Sequence, residues 1–337
     1  MAETEAIRRL VETSKGDLFA EGLKRSITQP IDAVKNIVKN PVDSVKQAPK
    51  TVGHFFGNVG SAIGRGVDKV KDRASGDGPE PTAGEMGSSI GNAAKNAAGF
   101  AKAKLETAKQ LGIDPYTDNA RLQEEMDKVT WAFFAGGLPL RVAASAASAG
   151  VAIAATNMVG IPEDTYALTQ SEIERRDGNS LAGMGVSGED LKGFQLSPSL
   201  SVTRRHLIVT SLEAMPKTQG RGYVIRLANA CDNPEEADFL VSALGLLVAR
   251  QSSGAVQYVS LKIAGRLPMA ITATGGVEIP APVDYVTWTE EVAAFAGRND
   301  LGATPKTLVH TGLLSAAAAS GLTKAGWQTS KVAYLKY

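Results

Sequence analysis

The sequence predicts an α+β chain. A helical N-terminal and central region precedes a C-terminal mixed α/β domain of short strands with a βαβ-like end. Three observations carry this expectation. Residues 93–215 follow a helical pattern and are rich in strong helix formers. From 216 onward, helical stretches alternate with short runs of strand character. Residues 74–92 (ASGDGPEPTAGEMGSSIGN) are rich in Gly, Pro, Ser and acids, and read as a flexible linker. The chain of 337 residues therefore divides into an amphipathic basic helical arm (1–73), the linker (74–92), a helical region with Ala-rich buried helices (93–215) and a mixed α/β domain (216–337).

Residues 1–28 read as a polar helix and its continuation. Glu3, Glu5, Glu12 and Asp17, with no apolar run among them, exclude a signal peptide at this point. The chain is then either cytoplasmic or a mature form whose leader was removed. Next comes an internal repeat of period eleven: QPIDAVKNIVK at 29–39 aligns with NPVDSVKQAPK at 40–50. In each copy Pro suits the first helical turn, where its missing N–H costs nothing. The early Asp and later Lys match the helix dipole. Pro41 enforces a break or kink between the copies.

From Lys24 to Arg73 there are ten Lys or Arg against four Asp, a local excess of +6. Ile31, Val34, Phe55 and Phe56 form the apolar face, and Lys35, Lys39, Lys46, Lys50, Arg65 and Lys69 the basic one. Such a segment suits an anionic membrane surface or a protein partner. The plainer reading is an amphipathic arm packed on its own body or on a sister subunit. No aromatic stacking platform accompanies the charge, which argues against nucleic acid.

The helical middle opens with GNAAKNAAGFAKAKLETAKQLG, for which Gly112 is a natural C-cap. Thr117, Asp118 or Asn119 can cap the next helix, ARLQEEMDKVTWAFFA. The apolar stretch 132–160 is long enough to span a membrane by count. Gly136, Gly137 and Pro139 interrupt it, and an Arg such as Arg141 at mid-span costs about 2.5–3.5 kcal/mol. A buried helix or helical hairpin fits better than a membrane-inserting hairpin or a span. GIPEDTYALTQSEIERR reads as a helix started at Pro162, followed by short helices at 187–194 and 202–215.

In the C-terminal domain, 234–251 is a helix with Phe239, Leu240, Leu244, Leu247 and Val248 inside. Strands are expected at 256–263, 269–274, 277–279 and 307–310, with a last one in QTSKVAYLKY. Gly275-Gly276 signals a two-residue hairpin. Thr287-Trp-Thr-Glu290 forms a capping box, and LLSAAAASGLTKAG is a helix ending at Gly326.

Composition narrows the chemistry. At 43% hydrophobic the chain can bury a sizeable core, and its net charge of +1 excludes a strongly basic nucleic-acid binder. One cysteine, Cys231, excludes an internal disulfide framework and a Cys-based zinc site. Three histidines leave little room for a His-rich metal centre, so no metal and no cofactor is expected. There is no G-x-S-x-G, and Ser187 in GVSGEDL reads as an N-cap. There is no P-loop, and no G-x-G-x-x-G after a strand. Asp114, Asp118 and Glu125 fall at calcium-loop spacing, but Tyr116 and Asn119 occupy positions that such a loop needs otherwise, so capping is the better reading. The pairs Glu124/Glu125, Glu235/Glu236 and Glu290/Glu291 sit in early helical turns, where acids complement the dipole.

Arg204-Arg205-His206 reads as a solvated helix face, and Cys231 as a buried structural thiol. His310, Thr311 and Gly312 form the candidate site hardest to dismiss. A strand-to-helix turn of His, Thr and Gly could hold an anion on free N–H groups.

Three stretches carry a resemblance: LGIDPYTDNARLQEEMDKVTWAFFAGGLP, GMGVSGEDLKGFQLSPSLSVTRRHLIVTSLEAM and VDYVTWTEEVAA. Upstream, Asn40–Val45 matches an NPV-x-x-V helix, and His54–Gly66 a basic, glycine-bearing segment with paired aromatics. In these the chain resembles a family of uncharacterised exported bacterial proteins with no assigned activity. The resemblance covers roughly 35–72, 105–215 and parts of 240–327. It implies export to the periplasm or cell envelope and brings no catalytic residues. The missing leader departs from the family pattern, unless the chain is the mature form.

The sequence thus leads to a non-catalytic envelope protein whose arm contacts a membrane or partner. The alternatives are an enzyme of unrecognised type in the C-terminal α/β domain, and a helical membrane-inserting protein using 132–160.

Overall fold

The computed structural model describes residues 2–28, 98–139, 161–302 and 305–332. The repeat, the linker and all ten proposed contact residues from Ile31 to Lys69 lie outside the described residues, as does most of the apolar stretch, 140–160. The class is α+β, with helices leading and a mixed sheet near the C-terminus. Two compact units form. The first holds described residues 2–28, 98–139 and 163–169, and the second holds 161–162, 170–302 and 305–332.

The first unit is helical: α1 (Ala2–Thr13), α2 (Asp17–Thr28), α3 (98–111) and α4 (Ala120–Ala135). α3 ends at Gly112, whose φ of 67° closes it as expected. Asn119 is the cap of α4, its side chain accepting from Leu122 N–H at 3.2 Å. Its amide also donates to Glu3 at 3.0 Å, which ties the start of α1 to the same turn. Asp114 accepts from Tyr116 N–H at 2.8 Å, so this turn is capped as expected. The core runs through Leu10, Phe19, Ile113, Leu122, Met126 and Val129. α2 and α4 approach through glycine: a Cβ on Gly136 would stand 2.6 Å from Gly22 Cα. Ala132, Phe133 and Ala135, the first part of the apolar stretch, are buried in this unit.

The second unit does not open with a long helix at Pro162. Glu163–Tyr166 of the first unit is a single 3-10 turn, and α5 (Gln170–Gly183) starts afresh. α6 (Gly188–Leu196) and α7 (Val202–Glu213) follow, capped by Ser187 and Ser201. α8 (Arg221–Asn229) was not foreseen, because Gly220 and Gly222 flank its start and mask the pattern. α9 (Pro234–Ser252) has Pro at its first turn and Asn233 as cap. Leu240, Leu244 and Leu247 are buried as expected, while Phe239 is half-exposed. Ile208, Val209 and Leu212 share one core with Leu244, Tyr258 and Leu261. Residues 170–213 therefore pack with the sheet, although the sequence grouped them with the helical middle.

The main sheet has the order β1-β2-β3-β5-β7. β1 (Tyr258–Ala264), β2 (Leu267–Thr272) and β3 (Val277–Ala281) form an antiparallel meander. The loop before β3 spans four residues rather than two, and only Gly275 takes a left-handed φ. β3, β5 (Lys306–His310) and β7 (Trp327–Lys331) are parallel, the expected βαβ character. A second sheet pairs β4 (Tyr285–Val286) with β6 (Leu313–Leu314). The sequence reading took Leu313 and Leu314 into a helix. That helix, α11 (Ala316–Lys324), instead begins after Ser315. α10 (Glu290–Ala296) is capped by Thr289 and not by Thr287, so it starts two residues later than the capping box implied. The last strand is described only to Lys331.

Backbone also lies along the outer edge of β1. Gln219 N–H donates to Val259 O at 2.9 Å, and Leu261 N–H to Gln219 O at 2.8 Å. At Gly220, φ is 75° and a Cβ would meet Leu261 O at 2.2 Å, so only glycine lets the chain turn away there.

Candidate functional site

Ionisable and polar side chains gather at three places in the second unit. The first lies on the sheet face beneath α9. Glu278 on β3 receives a two-pronged hydrogen bond from Arg250, Nε to Oε2 at 2.9 Å and Nη2 to Oε1 at 2.6 Å. Arg250 Nη1 also donates to Ser330 on β7 at 2.9 Å, and the Tyr258 hydroxyl donates to Glu278. Tyr258 is 1% exposed and Glu278 5%. Burial, reinforced by the Glu278 carboxylate, pushes the Tyr258 phenol well above its ordinary range. The Glu278 hydrogen bond holds Arg250 firmly charged. One helix and three strands are thereby fastened by one carboxylate. No short motif announces this cluster. The signal available was a Glu at a core-facing position in the apolar run VEIPA.

The second place joins α5 and α7. His206, 0% exposed, sits with Nδ1 2.9 and 3.0 Å from the two carboxylate oxygens of Asp177. The solvated-face expectation fails here: only the i+3/i+4 side facing α5 explains His206, and the partner lies 29 residues away. Arg204 is paired with Asp238 at 2.6 Å with its side chain only 18% exposed, and Arg205 donates to Leu200 O at 2.8 Å. A void of about 10 Å³ adjoins Asp177, Gly178 and Arg205, the room one water needs. A histidine oriented by Asp is half of a hydrolytic triad. Sealed in this way, its geometry serves to fasten two helices.

The third place holds the predicted residues His310, Thr311 and Gly312. His310 and Lys331 share one register at the carboxyl ends of β5 and β7, the end where open α/β sheets bind ligands. His310 is buried, with Nδ1 3.1 Å from Gly312 O. A carbonyl only accepts, so Nδ1 carries the proton. Thr311 donates to Val283 O at 3.2 Å. Leu313 N–H donates to Asp284 O at 2.8 Å and Ser315 N–H to Val286 O at 3.0 Å. Ala318 N–H is bonded to the Ser315 side chain. The three consecutive residues lead from β5 into β6 and not directly into the helix, so the expected strand-to-helix turn is a strand-to-strand link. The amides of 313 and 315 are engaged with β4 and do not face an anion. Gly312 is required by this packing, since a Cβ there would lie 1.9 Å from Asp284 O.

Cys231 is half-buried, its thiol 3.6 Å from Leu227 O, and burial foremost pushes it up from its ordinary value. That suits the structural reading. Among the described residues no group of His, Cys, Asp and Glu could hold a metal ion. In the first unit, a cavity of about 230 Å³ between α3 and α4 is lined by Ala103, Glu106, Thr130, Phe133, Phe134 and Leu138. No helix among the described residues is long and apolar enough to cross a membrane. No protein-family model, no curated protein and no solved structure matches the chain.

Proposed function

We propose that the chain is a non-catalytic interaction protein of the bacterial cell envelope, and that it meets an anionic membrane surface through its basic segment 24–73. One contrast carries this reading, namely where the ionisable side chains are spent. In the second unit the buried ones are turned inward on each other, as Arg250 on Glu278 and His206 on Asp177, and the exposed Arg266 and Arg298 are paired with neighbouring carboxylates. In 24–73 the sequence holds an excess of six positive charges over an apolar stripe. A lysine or arginine near an anionic leaflet contributes about 1 kcal/mol. The envelope location rests on the resemblance to exported bacterial proteins.

Vesicle sedimentation tests it. The full chain is mixed with neutral or anionic phospholipid vesicles at low and high salt. It is compared with the variant Lys35→Glu, Lys39→Glu, Lys46→Glu, Lys50→Glu, whose fold is checked by circular dichroism. The reading expects the wild type to pellet with anionic vesicles alone, to be released by salt, and to stay soluble in the variant. A wild type that ignores anionic vesicles at low salt overturns it.

A second reading, an enzyme of the C-terminal unit, is favoured by the position of His310 at the carboxyl ends of the parallel strands. A small molecule that shifts the His310 ring resonances would support it. Their indifference to a broad metabolite panel would count against it.

A further inference from the structure

β3 and β5 do not finish with the main sheet. After short links, Pro282–Asp284 and Thr311–Gly312, they resume as β4 and β6, again side by side and parallel. β7, the third parallel strand, reaches Lys331 opposite His310, and Val332 N–H still donates to His310 O at 2.9 Å. Two of the three strands thus continue into the small sheet. The third leaves the described residues where its own continuation would start.

β6 offers an edge at that point. Leu313 and Ser315 direct their N–H groups to β4. In a parallel ladder successive residues face opposite sides, so Leu314 turns its backbone to the outer edge. Leu313 is 59% exposed, and Tyr285, its neighbour across the pair, 55%. Leu314 packs inward on the core that includes Trp288, which rests on Gly321. A pair of two-residue strands is marginal by itself in water.

We propose that the outer edge of β6 is a strand-docking site, and that its occupant is this chain's own segment 333–336. Register points to it. β5 and β7 keep an offset of 21 residues, from Lys306 with Trp327 to His310 with Lys331. Carried three residues further, the same offset sets Tyr334 beside Leu313 and Leu335 beside Leu314. The neighbouring pair changes offset by one residue, from Val277 with Lys306 to Tyr285 with Leu313. The extra residue lies in the β3–β4 link and leaves the β5–β6 side unshifted. The side-chain chemistry agrees. Tyr334 extends the outer row of Tyr285 and Leu313, and Leu335 extends the inner row of Val286 and Leu314. Ala-Tyr-Leu-Lys contains no Pro or Gly to oppose a strand.

Amide hydrogen exchange at Leu314 tests the proposal in the full chain, in a chain ended after Val332, and in Leu335→Asp and Lys336→Asp variants. Docking slows exchange about tenfold or more in the full chain relative to the truncated one. Leu335→Asp behaves as the truncation, Lys336→Asp as the wild type. Circular dichroism confirms that each variant is folded, and the two full-length variants serve if the truncated chain is not. Equal Leu314 exchange in the wild type and in Leu335→Asp overturns the proposal. Protection that grows with protein concentration assigns the strand to a second copy, and overturns it as well.

Discussion

In the helical unit the closest contact is made by what the side chains lack. Gly22 and Gly136 bring α2 and α4 together backbone to backbone, and Phe100 and Trp131 fill in beside α3 with ring centroids 5.9 Å apart. In the sheet-bearing unit the comparable fastening is a charge. Arg250 from a helix and Tyr258 from one strand bond the Glu278 of a second strand, and Ser330 of a third accepts from the Arg250 guanidinium. Both units have apolar cores, yet they are vulnerable in opposite directions. The first fails when an atom is added at the crossing. The second fails when a charge is removed from the lock.

Glu278→Ala tests the second half most severely. It leaves Arg250 and the Tyr258 hydroxyl without their carboxylate, and removing one partner of a buried pair costs about 3–5 kcal/mol. Urea unfolding, followed by Trp288 and Trp327 in a Trp131→Phe background, reads this unit alone. If the lock is only a pairing of charges, the triple replacement Glu278→Leu, Arg250→Met, Tyr258→Phe recovers most of the loss.

Gly136→Ala tests the other half. Its Cβ would stand 2.6–2.8 Å from the Gly22 backbone and Ala132 O, and overpacking of this kind costs about 1–3 kcal/mol. Trp131 fluorescence reports it. The contrast sharpens at Gly222 in α8, where a Cβ meets nothing within 4 Å. There Gly→Ala stabilises, by about 0.5–1 kcal/mol, the smallest effect of the series.

Between these lies a pH effect that both units share in unequal measure. Tyr258 is raised well above 10.0, and Tyr166 in the helical unit is raised to about 12, by burial first and Asp114 second. Above pH 10 the unfolded chain loses these phenolic protons while the native chain keeps them. The native state then binds more protons, and stability falls as pH rises. Alkaline urea titrations should show the fall in both units. Tyr258→Phe costs about 1 kcal/mol at neutral pH through its lost hydrogen bond and flattens the fall in the sheet unit only. Tyr166→Phe flattens it in the helical unit only.

The caps at Asn119 and Ser187 were legible because a cap is a conversation among four neighbouring residues. The strands of the main sheet and its parallel end were legible from period and turn signals. What escaped was set by distance along the chain. Asp177 answers His206 across 29 residues, and nothing in ERRDGNS marks that Asp as different from its charged neighbours. Leu313 and Leu314 looked like a helix opening, since their strand partner, Tyr285-Val286, lies 28 residues upstream. The His310 cluster was legible as residue types and as a place. The engagement of its amides was not, because it depends on β4.

The backbone laid along β1 by Gln219 has a consequence for how molecules of this kind avoid each other. An uncovered edge strand is a template on which another chain can stack, and proteins commonly guard it with lysines, prolines or bulges. Here a single bridge at Gln219 and Ser260, held by a glycine that no other residue replaces, performs the guarding. A substitution at Gly220 would therefore show itself first as turbidity on standing, before any loss of helix or sheet, because it bares the one border along which the antiparallel half of the sheet could recruit a foreign strand.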